Sequence, residues 1–159
     1  MPKSFIRWLQ HSLVWVCCAF AGFAHAVAPK AVMDSGGMVA SRSALASEVG
    51  AQILADGGNA IDAAVAVGFA MAVTYPSAGN IGGGGFMVIH LADGTVIAND
   101  HRERAPGAAS KDMFLDDSLN VIKGKSWSTA LASGVPGSVS GMWLAHQKFG
   151  SVNWADIVR

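Results

Sequence analysis

Arg102-Glu103-Arg104 is the stretch of this sequence best equipped for chemistry. A guanidinium is a planar fork of donors that can grip a carboxylate through two parallel hydrogen bonds. A neighbouring glutamate can hold that guanidinium or meet a substrate ammonium. A charge cluster of this kind is also what a solvated turn looks like. Its place directly after an apolar run that reads as a strand is where rigid scaffolds present binding groups.

The other candidates lead less far. The run Gly82-Gly83-Gly84-Gly85 lacks the Gly-Lys-Ser/Thr ending of a phosphate loop, and it precedes a strand instead of opening a helix. It therefore reads as a tight backbone crossing that needs positive φ and tolerates no Cβ, with an added role in shaping a pocket. His90, His101 and His146 have no partner at i+4 and no His-Glu-x-x-His context, so no metal site is expected. Of the three, only His101, next to Arg102, stands near a possible pocket. No Gly-x-Ser-x-Gly elbow is present; in Ser133-Gly134-Val135-Pro136-Gly137 the serine lies outside the glycine frame. Asp62 is either a helix-cap partner or a buried, hydrogen-bonded carboxylate.

The elements that must position these groups follow from periodicity and breakers. Ala46, Val49, Gly50, Ile53 and Leu54 recur at helical spacing and predict an amphipathic helix over 43–56, stopped by Gly57-Gly58. Asn59 is placed to cap a second helix, with Asp62 in its first turn. From Ala63 to Ala72 that helix is apolar all round, so it is expected to be buried on every side. Tyr75-Pro76 ends it. Phe86–Leu91 and Thr95–Asn99 read as strands joined by Ala92-Asp93-Gly94. The first strand is apolar on both faces except at His90, which predicts a central, covered strand. Ser110 is expected to cap a short helical turn, and 116–128 to be an exposed loop. A helix over 138–149 carries Val139, Met142, Trp143 and His146 on one stripe and ends at Gly150. Ser151 is expected to cap a further helix with Trp154, Ile157 and Val158 inward.

The 159 residues are 52% hydrophobic and 14% charged, with 11 basic and 11 acidic side chains. That is a chain able to bury a core, with no basic stripe for nucleic acid. The first 26 residues read as a secretory signal: Lys3 and Arg7 in the n-region, Leu13–Phe23 as the apolar h-region, and Ala24-His25-Ala26 at the cleavage site. Export to the periplasm or beyond is expected, with residues 27–159 forming the mature domain. Gln10, His11 and His25 interrupt the apolar run and argue against a membrane anchor. Cys17 and Cys18 are the only cysteines, so the mature chain would have neither disulfides nor a cysteine nucleophile. The sequence stops at Arg159 inside a helical pattern without a stop signal, as a fragment of a longer protein would.

Several segments, in order, resemble the start of the large subunit of gamma-glutamyltransferases. They are Gly37-Met38-Val39-Ala40-Ser41, Gly57-Gly58-Asn59-Ala60-Ile61-Asp62-Ala63-Ala64-Val65-Ala66, Ile81 to Met87, and Asp100-His101-Arg102-Glu103-Arg104-Ala105-Pro106. Val135-Pro136-Gly137-Ser138-Val139-Ser140-Gly141 and Ala145 to Gly150 complete the set. The resemblance implies an α/β (α+β) fold, the αββα sandwich of the N-terminal-nucleophile hydrolases, of which only an N-terminal portion is present. It implies a chain that cuts itself and exposes a threonine nucleophile, which attacks the gamma-glutamyl amide of glutathione and passes the acyl group to water, an amino acid or a peptide. That threonine would lie beyond Arg159, in the small subunit that is this segment's partner, so the segment alone is expected to be inactive and poorly stable. The resemblance places Arg102 on the α-carboxylate of the gamma-glutamyl group, with Glu103 orienting it, and implies no cofactor. A cephalosporin- or glutaryl-type acylase and a non-enzymatic exported scaffold stay open as alternatives.

Overall fold

The computed structural model describes residues 31–159, and the compact unit is Asp34–Arg159. The expected signal segment and both cysteines lie outside the described residues.

Helix α1 spans Ala44–Ala55. Ser43 caps it, its Oγ accepting from the Ala46 amide at 3.4 Å. At the other end the Gly57 amide reaches the Leu54 carbonyl (3.1 Å) and the Gly58 amide reaches Ile53 (2.9 Å). Gly57 sits at φ +94°, the left-handed turn that glycine accepts at little cost. Ala46 and Gly50 are buried, Ile53 and Leu54 half-buried, and Val49 lies at the exposed margin. A Cβ on Gly50 would stand 2.6 Å from Val67 Cγ2, so this glycine lets α1 lie close against the next helix.

Helix α2 spans Ala60–Thr74 and opens with a capping box. Asn59 Oδ1 accepts from the amides of Ile61 (2.8 Å) and Asp62 (3.1 Å), while the Asp62 carboxylate accepts from the Asn59 amide (2.8 Å). Burial is confined to its first half, at Ile61, Asp62, Ala63, Val65 and Ala66. The expectation of burial all round Ala63–Ala72 is thus corrected. Ala64 is exposed, residues 67–72 are half-buried, and Val73 just past that stretch is 80% exposed.

Strands β1 (Phe86–His90) and β2 (Val96–Asp100) pair antiparallel, with Phe86 opposite Asp100 and His90 opposite Val96. Gly94 at φ +88° makes the connecting turn. Met87, Ile89 and Ile97 face the helices. Phe86, Val88 and Val96 point the other way and are 67%, 74% and 62% exposed. β1 is therefore covered on one face only among the described residues, against the expectation of a strand covered on both.

Beyond the sheet, Leu115 and Val121 form an isolated bridge, α3 (Lys125–Ser128) occupies the end of the expected 116–128 loop, and a 3-10 turn (Ala130–Ala132) follows it. Helix α4 spans Ser138–Phe149, within the expected bounds. Its buried face is Ser138, Gly141, Met142, Ala145 and His146, whereas Val139 and Trp143, placed on the inward stripe by periodicity, are more than 40% exposed. Helix α5 spans Trp154–Ile157 and is capped by Asn153, not Ser151.

Two apolar clusters join these parts. Val65, Ala66, Met142 and Ile157 pack with Phe69, Val152 and Trp154. Ile61, Ile89 and Ala145 pack with Ile97 and Phe149. The helices therefore form one layer against one face of the hairpin.

At the junction lies Asp62, wholly buried. Its carboxylate accepts from the Ser151 hydroxyl (2.6 Å), the Ser151 amide (3.0 Å) and the Val152 amide (3.4 Å), besides the Asn59 amide. Both alternatives for this residue are realised at once: it caps α2 and is a buried carboxylate. Ser151 lies two residues before the cap position of α5, and its amide and hydroxyl donate to Asp62 instead. Burial raises the Asp62 pKa, but the Ser151 hydroxyl and the amides of Asn59, Ser151 and Val152 outweigh it and hold the group below the ordinary aspartate value. His146 Nε2 stands 3.5 Å from the same carboxylate and donates to the Val152 carbonyl at 2.8 Å. Its ring stacks on Trp143 and meets Trp154 edge-on.

Candidate functional site

The candidate site begins where β2 ends. The pairing runs one residue past the strands, with Gly85 and His101 exchanging backbone bonds of 3.3 and 3.1 Å. The chain then turns, as Asp100 Oδ1 accepts from the Arg102 amide at 3.0 Å. Two residues on, Arg104 and Val135 exchange backbone bonds of 3.2 and 2.8 Å. The segment 101–104 is thus fixed at both ends through its backbone, and the side chains of Arg102 and Glu103 are free to point outward.

Arg102 and Glu103 are brought together as an exposed ion pair, Nε to Oε2 at 3.6 Å, with side chains 69% and 40% exposed. Such a pair contributes about 0–1 kcal/mol to stability. It leaves most of the guanidinium's donors available to a ligand. Hollows open on both sides of the segment. One, of ≈ 460 Å³, is lined by Asn99, His101, Arg102, Ser140, Trp143 and Leu144 among others. The other, of ≈ 430 Å³, lies between Arg102–Pro106 and Met113, Phe114 and Leu131. Both are open and mix charged with apolar walls, the character of a site for a small amphiphilic anion. His101 lines the first hollow. His90 is exposed, and His146 belongs to the buried Asp62 junction.

The glycine run packs directly behind this segment. Gly82–Gly85 do not take positive φ, which among the described glycines occurs at Gly37, Gly57, Gly94 and Gly124. The expected crossing is therefore real, but its cause is proximity. A Cβ on Gly84 would lie 2.6 Å from both the Glu103 nitrogen and the His101 oxygen. Gly83 meanwhile accepts from the amides of Gly137 (2.8 Å) and Ser138 (3.0 Å), which closes off the start of α4.

Comparison with known proteins decides the family. A family model described as gamma-glutamyltranspeptidase matches residues 46–159. The chain belongs to the gamma-glutamyltranspeptidase family. It is 57% identical over 127 residues to a glutathione hydrolase proenzyme of Pseudomonas sp. (strain A14), covering 80% of this chain and 22% of that protein. The gamma-glutamyltranspeptidase of Helicobacter pylori superposes with a TM-score of 0.78 at 50% identity, over 81% of this chain and 37% of the other. Cephalosporin acylase from Bacillus halodurans shares the fold at 24% identity and a TM-score of 0.64, over 86% of this chain and 26% of the other. The fold is that of the N-terminal-nucleophile hydrolases, and the helical layer against one face of the hairpin is a portion of their αββα sandwich. The chain spans about a fifth of the length of the curated relatives it matches. In this gamma-glutamyltranspeptidase family member, the sequence points to the loop at 101–104 but not to two residues that press on it, Gly137 and Gly141. The available signal was Gly141, inside the first turns of a helix where glycine is disfavoured; Gly137, at the cap position, carried none.

Proposed function

We propose that, within the complete gamma-glutamyltranspeptidase, this segment supplies the grip on the gamma-glutamyl donor. The guanidinium of Arg102 would take the donor's α-carboxylate in a two-point hydrogen-bonded pair, and Glu103 would orient the fork. The donor is glutathione or another gamma-glutamyl amide. A threonine supplied by the small subunit would attack the amide carbonyl and form an acyl-enzyme ester as the C–N bond breaks; the amine leaves with the threonine's proton, and the acyl group would then pass to water, an amino acid or a peptide. The segment holds the substrate and the partner subunit does the covalent chemistry. The observation that carries this reading is the exposed guanidinium at a strand end whose backbone is pinned on both sides. We further propose that residues 1–26 direct export and are removed, which mass measurement of the mature N-terminus would test.

The central test uses the full-length enzyme and a gamma-glutamyl anilide. Arg102→Ala should lower kcat/KM by an amount equivalent to about 2–5 kcal/mol, the usual effect of deleting one side of a desolvated, hydrogen-bonded charge pair. Arg102→Lys should recover only part of it, because an ammonium keeps the charge and loses the fork. Unchanged kinetics in Arg102→Ala would remove the assignment.

A further inference from the structure

Three glycines from two distant parts of the chain close on His101 and the backbone that follows it into Arg102. Gly84 faces the His101 carbonyl and the Glu103 amide so closely that a Cβ would stand 2.6 Å from each. On Gly137, a Cβ would fall on the His101 carbonyl oxygen, and on Gly141 it would fall on the Cβ and Cγ of the His101 side chain. The imidazole is also flanked from β1, where a Cβ on Gly85 would lie 3.1 Å from Nε2. Its Nδ1 is buried without a hydrogen-bond partner, so that edge of the ring is held by shape. The jaws are tied to each other through the Gly83 carbonyl, which receives the Gly137 and Ser138 amides.

We propose that Gly84, Gly137 and Gly141, closed on the His101 ring and carbonyl, form a steric clasp that positions Arg102 for the donor carboxylate. The inference rests on the reading of Arg102 given above and deepens it. His101 and the glycines are positioning residues; none is asked to touch the reacting atoms. A Cβ at 137 meets the His101 carbonyl and one at 141 meets the root of its side chain, so α4 and His101 must move apart, and the guanidinium hangs from the next residue. Geometry matters at this scale, since a misplacement of about 1 Å can cost 10²-fold in rate. The donor carboxylate is remote from the amide that reacts, so a displaced Arg102 should weaken binding before it slows chemistry.

The experiment uses the full-length enzyme, with KM and kcat on a gamma-glutamyl anilide, inhibition by L-glutamate, and thermal unfolding. Gly141→Ala should raise KM and the inhibition constant of L-glutamate about tenfold or more while kcat changes less. Gly107→Ala, whose Cβ meets nothing within 4 Å, should leave all three constants unchanged. Adding His101→Gly to Gly141→Ala opens room for the new methyl and should restore part of the lost L-glutamate affinity. His101→Ala adds no volume and serves where Gly141→Ala does not mature; it should raise the same two constants in the same direction. A general loss of stability would lower the unfolding temperature and the active fraction without moving the inhibition constant. Wild-type L-glutamate inhibition in both Gly141→Ala and His101→Ala would overturn the clasp. If Arg102→Ala also left inhibition unchanged, the carboxylate grip itself would be the part that fails.

Discussion

The pairs Asp62–His146 and Glu103–Arg102 each bring a carboxylate beside a cationic or ionisable side chain, and they do so under opposite conditions. At the helical junction, Asp62 is wholly buried and surrounded by donors from Asn59, Ser151 and Val152, with His146 at 3.5 Å. At the end of β2, Glu103 and Arg102 meet at 3.6 Å with both side chains exposed. In the first place every oxygen is committed to the protein's own amides and hydroxyl, so nothing remains for a ligand. In the second the backbone is committed and the side chains are not. Burial converts a charge into a structural joint, while exposure on a pinned loop keeps it available. Both are measurable in the full-length protein.

The largest expected effect is at the junction. Asp62→Ala would strand the Asn59, Ser151 and Val152 amides and the Ser151 hydroxyl in a dry environment, and should cost about 3–5 kcal/mol in urea unfolding. KM for a gamma-glutamyl anilide should hold in whatever fraction folds. A variant that unfolds at the wild-type urea midpoint would show that the junction is not a joint. Asn59→Ala should cost less, about 1–2 kcal/mol, since it removes a helix cap and the Nδ2 bond to the Phe149 carbonyl.

The pH response should also separate the two places. The Asp62 carboxyl is held below its ordinary value by its donors, so the unfolded chain takes up a proton, near pH 3.9, before the folded one does. The stability it contributes is complete above about pH 4 and declines as pH falls through the depressed folded value. Acid unfolding of Asp62→Asn, followed by circular dichroism, should therefore be less steep below about pH 4 than that of the wild type. Equal steepness would mean that other carboxylates govern acid unfolding.

Much of the fold was legible because its punctuation is local. Ser43, Gly57-Gly58, Asn59 and Gly150 set helix ends by caps and left-handed turns that involve residues only a few positions away. What could not be read depends on partners far along the chain. Ser151 looks like a cap in sequence, yet its donors go to Asp62, 89 residues earlier. The strand Phe86–His90 is apolar on alternate positions of both faces, and periodicity says nothing about whether a layer covers the second face. The glycine run reads as a crossing that needs positive φ, whereas the constraint is the backbone of 101–103 lying against Gly84. For the arginine loop, residue chemistry offered a turn or a binding loop, and the resemblance to a family chose between them. The packing of Gly137 and Gly141 against His101 was visible to neither.

The smallest effect sharpens the contrast most, because it predicts that removing a charge from an ion pair will leave stability alone. Glu103→Gln abolishes the carboxylate half of the Arg102 pair without changing its shape. An exposed pair of this length contributes about 0–1 kcal/mol, and a substitution at such a surface should fall within about 0.5 kcal/mol of wild type in urea unfolding. The guanidinium would lose its neighbouring orienting charge, so KM for a gamma-glutamyl anilide should rise modestly, on the order of a few-fold. Stability and affinity would then move independently at the loop, whereas at Asp62 a large loss of stability leaves KM where it was. A Glu103→Gln enzyme that lost several kcal/mol of stability would place the loop in the same class as the junction, and the division of labour between buried and exposed carboxylates would fail.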